Sequence, residues 1–450
     1  MELVFPKRAP AGAPTGSPVE RLERLLAELE QRLSGLVERG LAACTRASFD
    51  GSGLEGGIAD AIVTPEAVED VLICVDACGR AGVPMTVRGG GTGRAGGAIP
   101  LRGGIVLLMT RLDAVAWQGE VLVAGAGARV AAVERALAER GQVLSARPYG
   151  DPAVSTLGGL IGSGGAAVHA RRTGGLAPHV RRLQTVTGAG ELIRTGALAA
   201  GPLPTWDLTR LLIGSEGGLA IVTEVALTGV TLRPTRRVVR VLRDSEALAT
   251  ALRAAEQDSS VAAGCWLSAS AARALFDDGA RVPDGGALWL TDEDAAPSAA
   301  KGSEAALSDL EGRLTAQLTA AHPRHTLVRF APRIPIEIIA SCIDAFETAA
   351  TLAGLAAWCM GDELGTVHLV VAAPDDDPGR FERATDVLEG VVEAALDHGA
   401  AAVGAFGSGL LAPRWLRRER GMQLDLLNQL KTVFDPHGIM NPGKLPKTRR

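Results

Sequence analysis

The sequence predicts an α+β fold with more than one domain, and three observations support this prediction. The chain has 450 residues, which is long enough for two or three domains. Between about residues 62 and 141, short apolar runs bounded by turn residues alternate with amphipathic helical segments. Residues 183–196 read LQTVTGAGELIRTG, which predicts a strand-turn-strand hairpin. Helices that alternate with strands, together with a hairpin, are typical of the α+β class.

The first predicted element is an amphipathic helix from Pro18 to Val37. Its leucines recur at helical spacing, so we expect the helix to pack on the core rather than to carry function. These leucines are Leu22, Leu25, Leu26, Leu29, Leu33 and Leu36.

Strands and helices alternate after this helix. The run AIVTP predicts a strand, and Thr64, Pro65 and Glu66 predict the cap of a helix that ends near Gly79. The runs PMTVR, GIVLLMT and VLVAGAG predict three further strands. A helix is predicted for VAAVERALAERG, with Gly141 as its C-terminal stop.

The composition is that of a globular protein and argues against two classes of partner. With 47% hydrophobic and 22% charged residues, the chain can bury a large core. Its net charge of −5 argues against nucleic acid, because phosphate binding requires clustered basic surface. No apolar run reaches the roughly 18 residues that a membrane span needs, so we expect no transmembrane segment.

Six cysteines are spread along the chain, and no secretory leader precedes them. They indicate reduced thiols and a cytoplasmic location rather than a disulfide framework. Cys74 and Cys78 are four residues apart on a predicted helix, among Val71, Leu72 and Val75. We expect both to be small core residues, and a metal or redox role is the alternative.

A glycine-rich stretch, VRGGGTGRAGGAIP, occupies residues 87–100 and contains the pattern GxGxxG from Gly91. A Rossmann turn requires a helix directly after these glycines, but Pro100 and two more glycines follow. Asp113 stands where a ribose-binding acid would be expected, although a solvated aspartate fits its turn-like surroundings better. The favoured alternative is a loop whose successive N–H groups form an anion-binding nest.

Two further loops have the same small-residue character. Residues 149–167 read YGDPAVSTLGGLIGSGGAA, and residues 211–227 read LLIGSEGGLAIVTEVAL. Three such loops in one domain predict that they share one extended ligand.

These loops resemble the FAD-binding domain of the vanillyl-alcohol-oxidase type. The resemblance is to the branch with the FAD-binding subunit of glycolate oxidase, D-lactate dehydrogenases and D-2-hydroxyglutarate dehydrogenases. It rests on RGGGTGRAGGA, DPAVSTLGGLIGSGG, IGSEGGLAIVTE and, near the C-terminus, FDPHGIMNPGKL. The similarity runs from about Ile62 to Leu445. It implies a two-subdomain FAD-binding domain and an α+β substrate-cap domain.

The resemblance divides the chain into four parts. They are an N-terminal helix and lead-in (1–54), the FAD-binding domain (55–238), the substrate cap (239–400) and a C-terminal segment returning to the flavin (401–450).

The resemblance also implies a set of FAD-binding residues. Some relatives hold FAD covalently through a histidine in the first loop, but Thr92 and its neighbours offer none, so we expect non-covalent FAD. The implied residues are Arg88, Gly89, Gly90, Gly91, Thr92, Gly93, Arg94, Gly97, Asp151, Pro152, Thr156, Leu157, Gly158, Gly162, Ser163, Gly165, Glu216, Gly218, Ile221 and Asn441.

The metal motif of these relatives is degenerate here. They read His-x-Gly-Asp-Gly-Asn-x-His and then Gly-Glu-His-Gly, whereas this chain reads CMGDELGTVHL and GAFGSG. Cys359 replaces the first histidine, and Ala405 and Phe406 replace the glutamate and histidine. We expect no metal, since Cys359 and His368 alone would not close a zinc site.

Two residues are expected at the substrate. Arg329 lies where relatives place a basic residue facing the substrate carboxylate. His368 is the candidate base, with His179 and His169 as alternatives. A helix arginine of the relatives has no clear equivalent in residues 301–322.

The function implied is that of an FAD-dependent oxidoreductase acting on a CH–OH group, resembling 2-hydroxy-acid dehydrogenases of the glycolate and D-lactate type. The alternative is a non-autonomous flavin-binding, electron-transfer subunit of a glycolate oxidase-like complex. The expected partners are a small-molecule carboxylate and, for the alternative, an iron–sulfur or second flavin subunit.

Overall fold

The computed structural model describes residues 16–199, 206–276, 281–295, 309–410 and 412–445. The helices are α1 (Pro18–Arg32), α2 (Leu41–Ala47), α3 (Val68–Ala81), α4 (Val130–Ala138), α5 (Leu157–Ser163), α6 (Ala170–Thr173), α7 (Leu208–Leu212), α8 (Ser245–Gln257), α9 (Ala269–Leu275), α10 (Leu310–Ala321), α11 (Ile339–Leu352), α12 (Arg380–Leu396), α13 (Pro413–Arg420) and α14 (Met422–Phe434). The strands are β1 (Leu36–Glu38), β2 (Ala61–Thr64), β3 (Met85–Arg88), β4 (Ile105–Leu108), β5 (Val115–Gln118), β6 (Val121–Gly125), β7 (Ala146–Arg147), β8 (Ala166–Ala167), β9 (Val180–Thr187), β10 (Leu192–Gly196), β11 (Ala220–Leu227), β12 (Thr235–Leu242), β13 (Val261–Ser268), β14 (Ala287–Asp294), β15 (His325–Phe330), β16 (Ala356–Asp362) and β17 (Val367–Pro374).

Two large sheets and the two-stranded sheet β7-β8 lie in the N-terminal half. The first has the order β1-β2-β4-β3, with β2, β4 and β3 parallel and β1 antiparallel to β2. Helices α1 and α3 share its core. The second sheet is antiparallel and has the order β10-β9-β11-β6-β5. Together they confirm the α+β class.

The third sheet, here called the cap sheet, has six antiparallel strands in the order β12-β14-β13-β16-β17-β15. Buried residues of α8, α11 and α12 pack on one face, and those of α9 and α10 pack on the other. Because side chains alternate between faces along a strand, neighbouring residues of the cap sheet belong to different cores.

The predicted N-terminal helix is too long. Helix α1 ends at Arg32, and β1 then pairs antiparallel with β2. Asp70 accepts hydrogen bonds from the Ser34 backbone N–H at 2.9 Å and from the Ser34 hydroxyl at 2.8 Å. A Cβ on Gly35 would lie 2.2 Å from the Thr64 oxygen, so the chain crosses β2 too closely for a helix.

The predicted cap of α3 is also wrong. The helix begins at Val68 after Ala67, whose side chain makes no capping hydrogen bond. Asp70 instead accepts from the Glu66 backbone N–H at 2.9 Å. The predicted strands AIVTP, PMTVR, GIVLLMT and VLVAGAG and the hairpin are confirmed as β2, β3, β4, β6 and β9–β10.

All six cysteines are buried and unbridged. Cys74 and Cys78 lie in the core of the first sheet, as expected, and the Cys74 sulfur lies 3.9 Å from that of Met85. In the part of the chain that the structure describes, no helix is long and apolar enough to cross a membrane.

Candidate functional site

The first glycine loop follows β3 and does not lead into a helix. This excludes the Rossmann turn. Gly91 and Gly96 have φ angles of +70° and +81°, which favour glycine. No described residue accepts a hydrogen bond from the backbone N–H groups of residues 90–97. The loop therefore presents a row of free donors, as an anion-binding nest requires.

The second loop packs directly against the first. A Cβ on Gly90 would lie 2.0 Å from the Val154 oxygen, and one on Gly89 would lie 2.0 Å from the Thr156 hydroxyl. Thr156 also caps α5, where its hydroxyl accepts the Gly159 N–H at 3.2 Å. Because glycine carries only a hydrogen in place of a side chain, the first and second loops pack closely and form one wall of the site.

The third loop closes the site from the other side. Glu216 has a φ of +51°, and its backbone N–H donates to the Gly162 oxygen at 3.1 Å. Its carboxylate accepts the Gly409 N–H at 3.0 Å, and burial raises the pKa of this carboxyl. Asn441 joins two loops, since its amide donates to the oxygens of Gly97 at 3.1 Å and Glu216 at 2.7 Å.

The three loops line one cleft. Because residues of all three loops contribute to its lining, the cleft suits an extended ligand. Twelve residues implied by the resemblance line it: Gly89, Gly90, Gly91, Thr92, Gly93, Arg94, Gly97, Thr156, Gly158, Gly162, Ser163 and Glu216. No histidine or cysteine of the described chain lines it.

The other implied residues lie outside this lining. Arg88 donates to the Ala47 oxygen at 3.2 Å, and burial lowers the pKa of its guanidinium. Leu157 and Ile221 are core residues. The remaining ones are Asp151, Pro152, Gly165, Gly218 and Asn441.

The rings of Tyr149, His368 and Phe406 meet at the cap side of the cleft. The sequence did not single out Tyr149 and Phe406 as site residues. Tyr149, the only tyrosine of the sequence, lies 4.8 Å from Phe406 and 5.6 Å from His368 between ring centroids. His368 and Phe406 are 5.1 Å apart. Phe406 therefore occupies the space directly beside His368.

His368 is suited to accept a proton. It is 7% exposed, and burial lowers the pKa of its imidazole, so the ring is neutral near pH 7. Its Nδ1 atom has no hydrogen-bond partner among the described residues. The Glu311 carboxylate acts in the opposite direction by favouring the imidazolium.

Arg329 is a buried cation without a carboxylate partner in the described ranges. Its Nη1 donates to the Leu327 oxygen at 3.3 Å, and its Nε has no partner. Burial lowers the pKa of the Arg329 guanidinium to about 10, which leaves it charged at neutral pH. Arg329 and Phe406 line one small cavity of about 10 Å³.

Arg94 and Glu311 form a buried ion pair, with side chains 7% and 5% exposed. Arg94 belongs to the first loop and Glu311 to α10, so the pair joins the cleft to the cap. Arg94 also donates to the backbone carbonyl oxygen of Tyr149. Arg313, the arginine of residues 309–322, lies over the Phe276 ring and not in the lining of the cleft. Residues 301–308 lie outside the described residues.

A second cavity of about 140 Å³, here called the cap cavity, lies between the second loop and the cap sheet. It brings His368 and His169 together. His179 lies elsewhere, where its Nε2 is 2.8 Å from the Thr173 oxygen. Two of the three candidate bases therefore share one site.

The zinc alternative with Cys359 and His368 is wrong in geometry. Met360 pairs with His368 across β16 and β17, and Cys359 pairs with Leu369. Cys359 therefore projects to the opposite face of the cap sheet, into the core with α11 and α12. No group of three or more His, Cys, Asp or Glu within the described ranges has a metal-binding arrangement.

Comparisons with known proteins agree with this arrangement. Residues 59–196 match the FAD binding domain family, and residues 239–445 match the C-terminal domain of FAD linked oxidases. The chain is 24% identical over 430 residues to glycolate oxidase subunit GlcD of Bacillus subtilis, covering 88% of this chain and 91% of the relative. It is 26% identical over 425 residues to D-lactate dehydrogenase of Archaeoglobus fulgidus, covering 85% and 90%. It is 27% identical over 429 residues to D-2-hydroxyglutarate dehydrogenase of Xanthomonas citri, covering 86% and 89%.

Solved structures show the same fold. The 4-ethylphenol oxidase of Gulosibacter chungangensis superposes with a TM-score of 0.75 at 15% identity, covering 96% of this chain and 98% of the other. An alkyldihydroxyacetonephosphate synthase superposes with a TM-score of 0.69 at 16% identity, covering 95% and 85%.

Proposed function

Because the chain belongs to the FAD-linked oxidoreductases of the vanillyl-alcohol-oxidase type, we propose that it oxidises the CH–OH group of a 2-hydroxy acid. FAD is its cofactor. The observation that carries the substrate class is that a buried Arg329 without a carboxylate partner and a neutral His368 both lie next to Phe406. Relatives named for glycolate, D-lactate and D-2-hydroxyglutarate support the same class.

The residues of the cleft fit FAD. The free N–H groups of residues 90–97 suit a pyrophosphate, and the glycines keep side chains out of its path. When bound, FAD supplies the acceptor for the hydride that leaves the substrate carbon. We further propose that the cofactor is non-covalent, since no histidine or cysteine of the described chain lines the cleft. Acid precipitation should then release all flavin into the supernatant.

Arg329 is proposed to hold the substrate carboxylate. A guanidinium that is buried without a counter-ion gains most from a ligand that supplies one. His368 is proposed to accept the hydroxyl proton on its free Nδ1. Since the relatives' glutamate and second histidine are replaced by Ala405 and Phe406, we propose that this base acts without a metal.

Anaerobic mixing with a panel of D- and L-2-hydroxy acids tests this function. We expect at least one acid to bleach the flavin absorbance, and expect Arg329→Met to weaken its binding by at least 100-fold. Arg329→Lys, which keeps the positive charge, should weaken the binding of the acid less than Arg329→Met does. A flavin that dithionite reduces but no hydroxy acid bleaches would contradict the proposal.

A second candidate function is that of a flavin-binding, electron-transfer subunit. The observation that favours it is an apolar row on one face of α14, with Met422 81%, Leu426 59%, Leu430 36% and Val433 72% exposed. Contiguous exposed apolar surface marks protein interaction sites. Relatives named as glycolate oxidase subunits support this candidate. Its proposed partner is an iron–sulfur or second flavin subunit.

Natural-source purification separates the two candidates. If the chain is a subunit, iron and acid-labile sulfide or a second flavin should co-purify with it, and Leu426→Asp should remove them. Leu352→Asp, at an 84% exposed leucine of α11, is the matched control and should leave the co-purifying groups in place. Stoichiometric flavin alone, with bleaching by an acid, would favour the autonomous enzyme.

The division into 1–54, 55–238, 239–400 and 401–450, the flavin roles of the implied residues and a cytoplasmic location remain parts of this proposal. Six buried, unbridged thiols support the reducing location. The hydrogen bond from the Asn441 N–H to the Met85 oxygen, 2.7 Å, supports a C-terminal segment that returns to the flavin.

A further inference from the structure

The cap cavity adjoins the proposed reaction site. Tyr149 lines both this cavity and the FAD cleft, and His368 lines the cap cavity while packing on Phe406 of the cleft. A substrate whose hydroxyl carbon lies at His368 can therefore extend into the cap cavity. Glycolate and lactate have no chain long enough to use it.

Four side chains that line this cavity, from different parts of the chain, carry buried polar atoms without a hydrogen-bond partner. They are Glu363 Oε1, Glu311 Oε2, His368 Nδ1 and His169 Nδ1, none with a hydrogen-bond partner among the described residues. Glu363 and Glu311 are each 4% exposed and His368 is 7% exposed. A buried polar atom without a partner lowers the stability of the fold. Four such atoms around one cavity therefore indicate a ligand with several hydrogen-bonding groups.

The charges of the lining select an uncharged ligand group. Glu311 is neutralised by Arg94, and Asp362 and Arg333 contribute one charge of each sign. Burial lowers the pKa of both His169 and His368, so neither imidazole adds a positive charge near pH 7. Burial also raises the pKa of Glu363 to about 7, so this carboxyl is often protonated and can donate as well as accept. Arg333 is the cation of this lining that has no carboxylate partner among the described residues, and the Asp362 carboxylate of the same lining offsets its charge for an incoming anion.

We propose that the cap cavity binds the hydroxyl-bearing chain of a polyhydroxy 2-hydroxy acid, with Glu363 and His169 as the residues that select it. This rests on the proposed function, which places the carboxylate at Arg329 and the reacting carbon at His368. Glu363 is held for this role by the Gly264 N–H, which donates to Oε2 at 2.9 Å and leaves Oε1 free.

Four-carbon acids that differ only at C3 and C4 test this selection. The perturbation of flavin absorbance gives the Kd of both enantiomers of 2-hydroxybutanoate, malate and 4-amino-2-hydroxybutanoate, and of all four stereoisomers of 2,3,4-trihydroxybutanoate. We expect one trihydroxybutanoate stereoisomer to bind at least tenfold more tightly than the other three acids, because a site built for hydroxyls leaves its polar groups unpaired with an analogue that lacks them.

Variants locate the preference. Glu363→Leu should reduce the ratio of Kd between 2-hydroxybutanoate and trihydroxybutanoate to about one. If the leucine variant does not fold, Glu363→Gln, which keeps the shape and an acceptor, is measured in its place. Glu347→Gln, a half-buried carboxyl of α11 at the opposite face of the cap sheet, is the matched control and should keep the ratio.

The outcomes distinguish two failures. Equal binding of all four acids, or a preference for malate or the amino acid, would overturn the polyhydroxy selection and leave the proposed function standing. No perturbation by any of the acids would overturn both.

Discussion

At the scale of single residues, Glu363 shows how burial assigns chemistry that composition does not reveal. Its carboxyl lies 4% exposed next to Asp362. Burial, and secondarily the Asp362 charge, raise its pKa to about 7 from an ordinary value of 4.5. The sequence stretch CMGDELGTVHL contains Glu363, but only as an insertion relative to the relatives' metal motif. Nothing in the local pattern marked it as a site residue, because its burial depends on β13 and the second loop.

Glu363 should make folding stability depend on pH. A carboxyl whose pKa is raised in the folded state stabilises the fold at low pH, and this contribution is lost as pH rises from about 4.5 through about 7. Glu363→Gln removes the titration. Between pH 5 and pH 8, we expect the variant to gain roughly 2 to 3 kcal/mol relative to the unmodified protein. Urea unfolding at both pH values measures this, and parallel pH profiles of the two proteins would contradict it.

At the scale of elements, the site is a contact between loops rather than a property of one motif. The first loop reaches the second only because Gly90 lacks a side chain. The Thr92 and Ser155 hydroxyls, 2.8 Å apart, add a hydrogen bond to this contact. The order of the loops in the sequence predicted that they share a ligand, and the packing gives the reason.

A pair of alanine variants tests the loop contact. Gly90→Ala should separate the loops, since its Cβ would lie 2.0 Å from the Val154 oxygen. We expect loss of flavin and a lower unfolding midpoint of the cofactor-free protein. Gly93→Ala is the control, because its Cβ would meet only the Asp50 carboxylate at 3.9 Å. It should leave the cofactor-free midpoint nearly unchanged. Full flavin content and an unchanged midpoint in Gly90→Ala would show that the loops tolerate the side chain.

At the scale of the whole molecule, the buried pair of Arg94 and Glu311 connects the first loop to α10 of the cap. Their residues are separated by 217 positions in the sequence. Thr315 supports both partners, because it accepts from Arg94 and donates to Glu311 at 2.9 Å. Cap position and cofactor loop are therefore mechanically linked.

A double-mutant cycle tests this link. Removing one partner of a buried ion pair leaves the other charge without compensation, so Arg94→Met and Glu311→Leu should each destabilise the protein by about 3 to 5 kcal/mol. The double variant should lose much less than the sum of the two. Denaturant unfolding of the cofactor-free protein measures each free energy. Additive losses would mean that the two side chains act independently.

The sequence by itself determined the α+β class, most strands of the first two sheets, the glycine loops and the family. These features depend on local periodicity and on residue types that permit close backbone approach, and both are visible in a linear pattern. It also suggested Arg329 and His368 as candidate site residues, through their positions relative to the family motifs, and their roles remain proposals. It placed the end of α1 and the cap of α3 wrongly, because Asp70 and the pairing of β1 with β2 act across the fold.

Only the tertiary structure decided which of these residues share a space. The register of β16 and β17 turned Cys359 away from His368, and a shift of one residue would have turned it towards the site. Burial then set the charge state of Glu363 and the isolation of Arg329, since desolvation depends on surrounding elements that are distant in sequence. The cap cavity likewise exists only where the second loop meets the cap sheet. Its polar lining comes from segments far apart in the chain, and no local pattern links them.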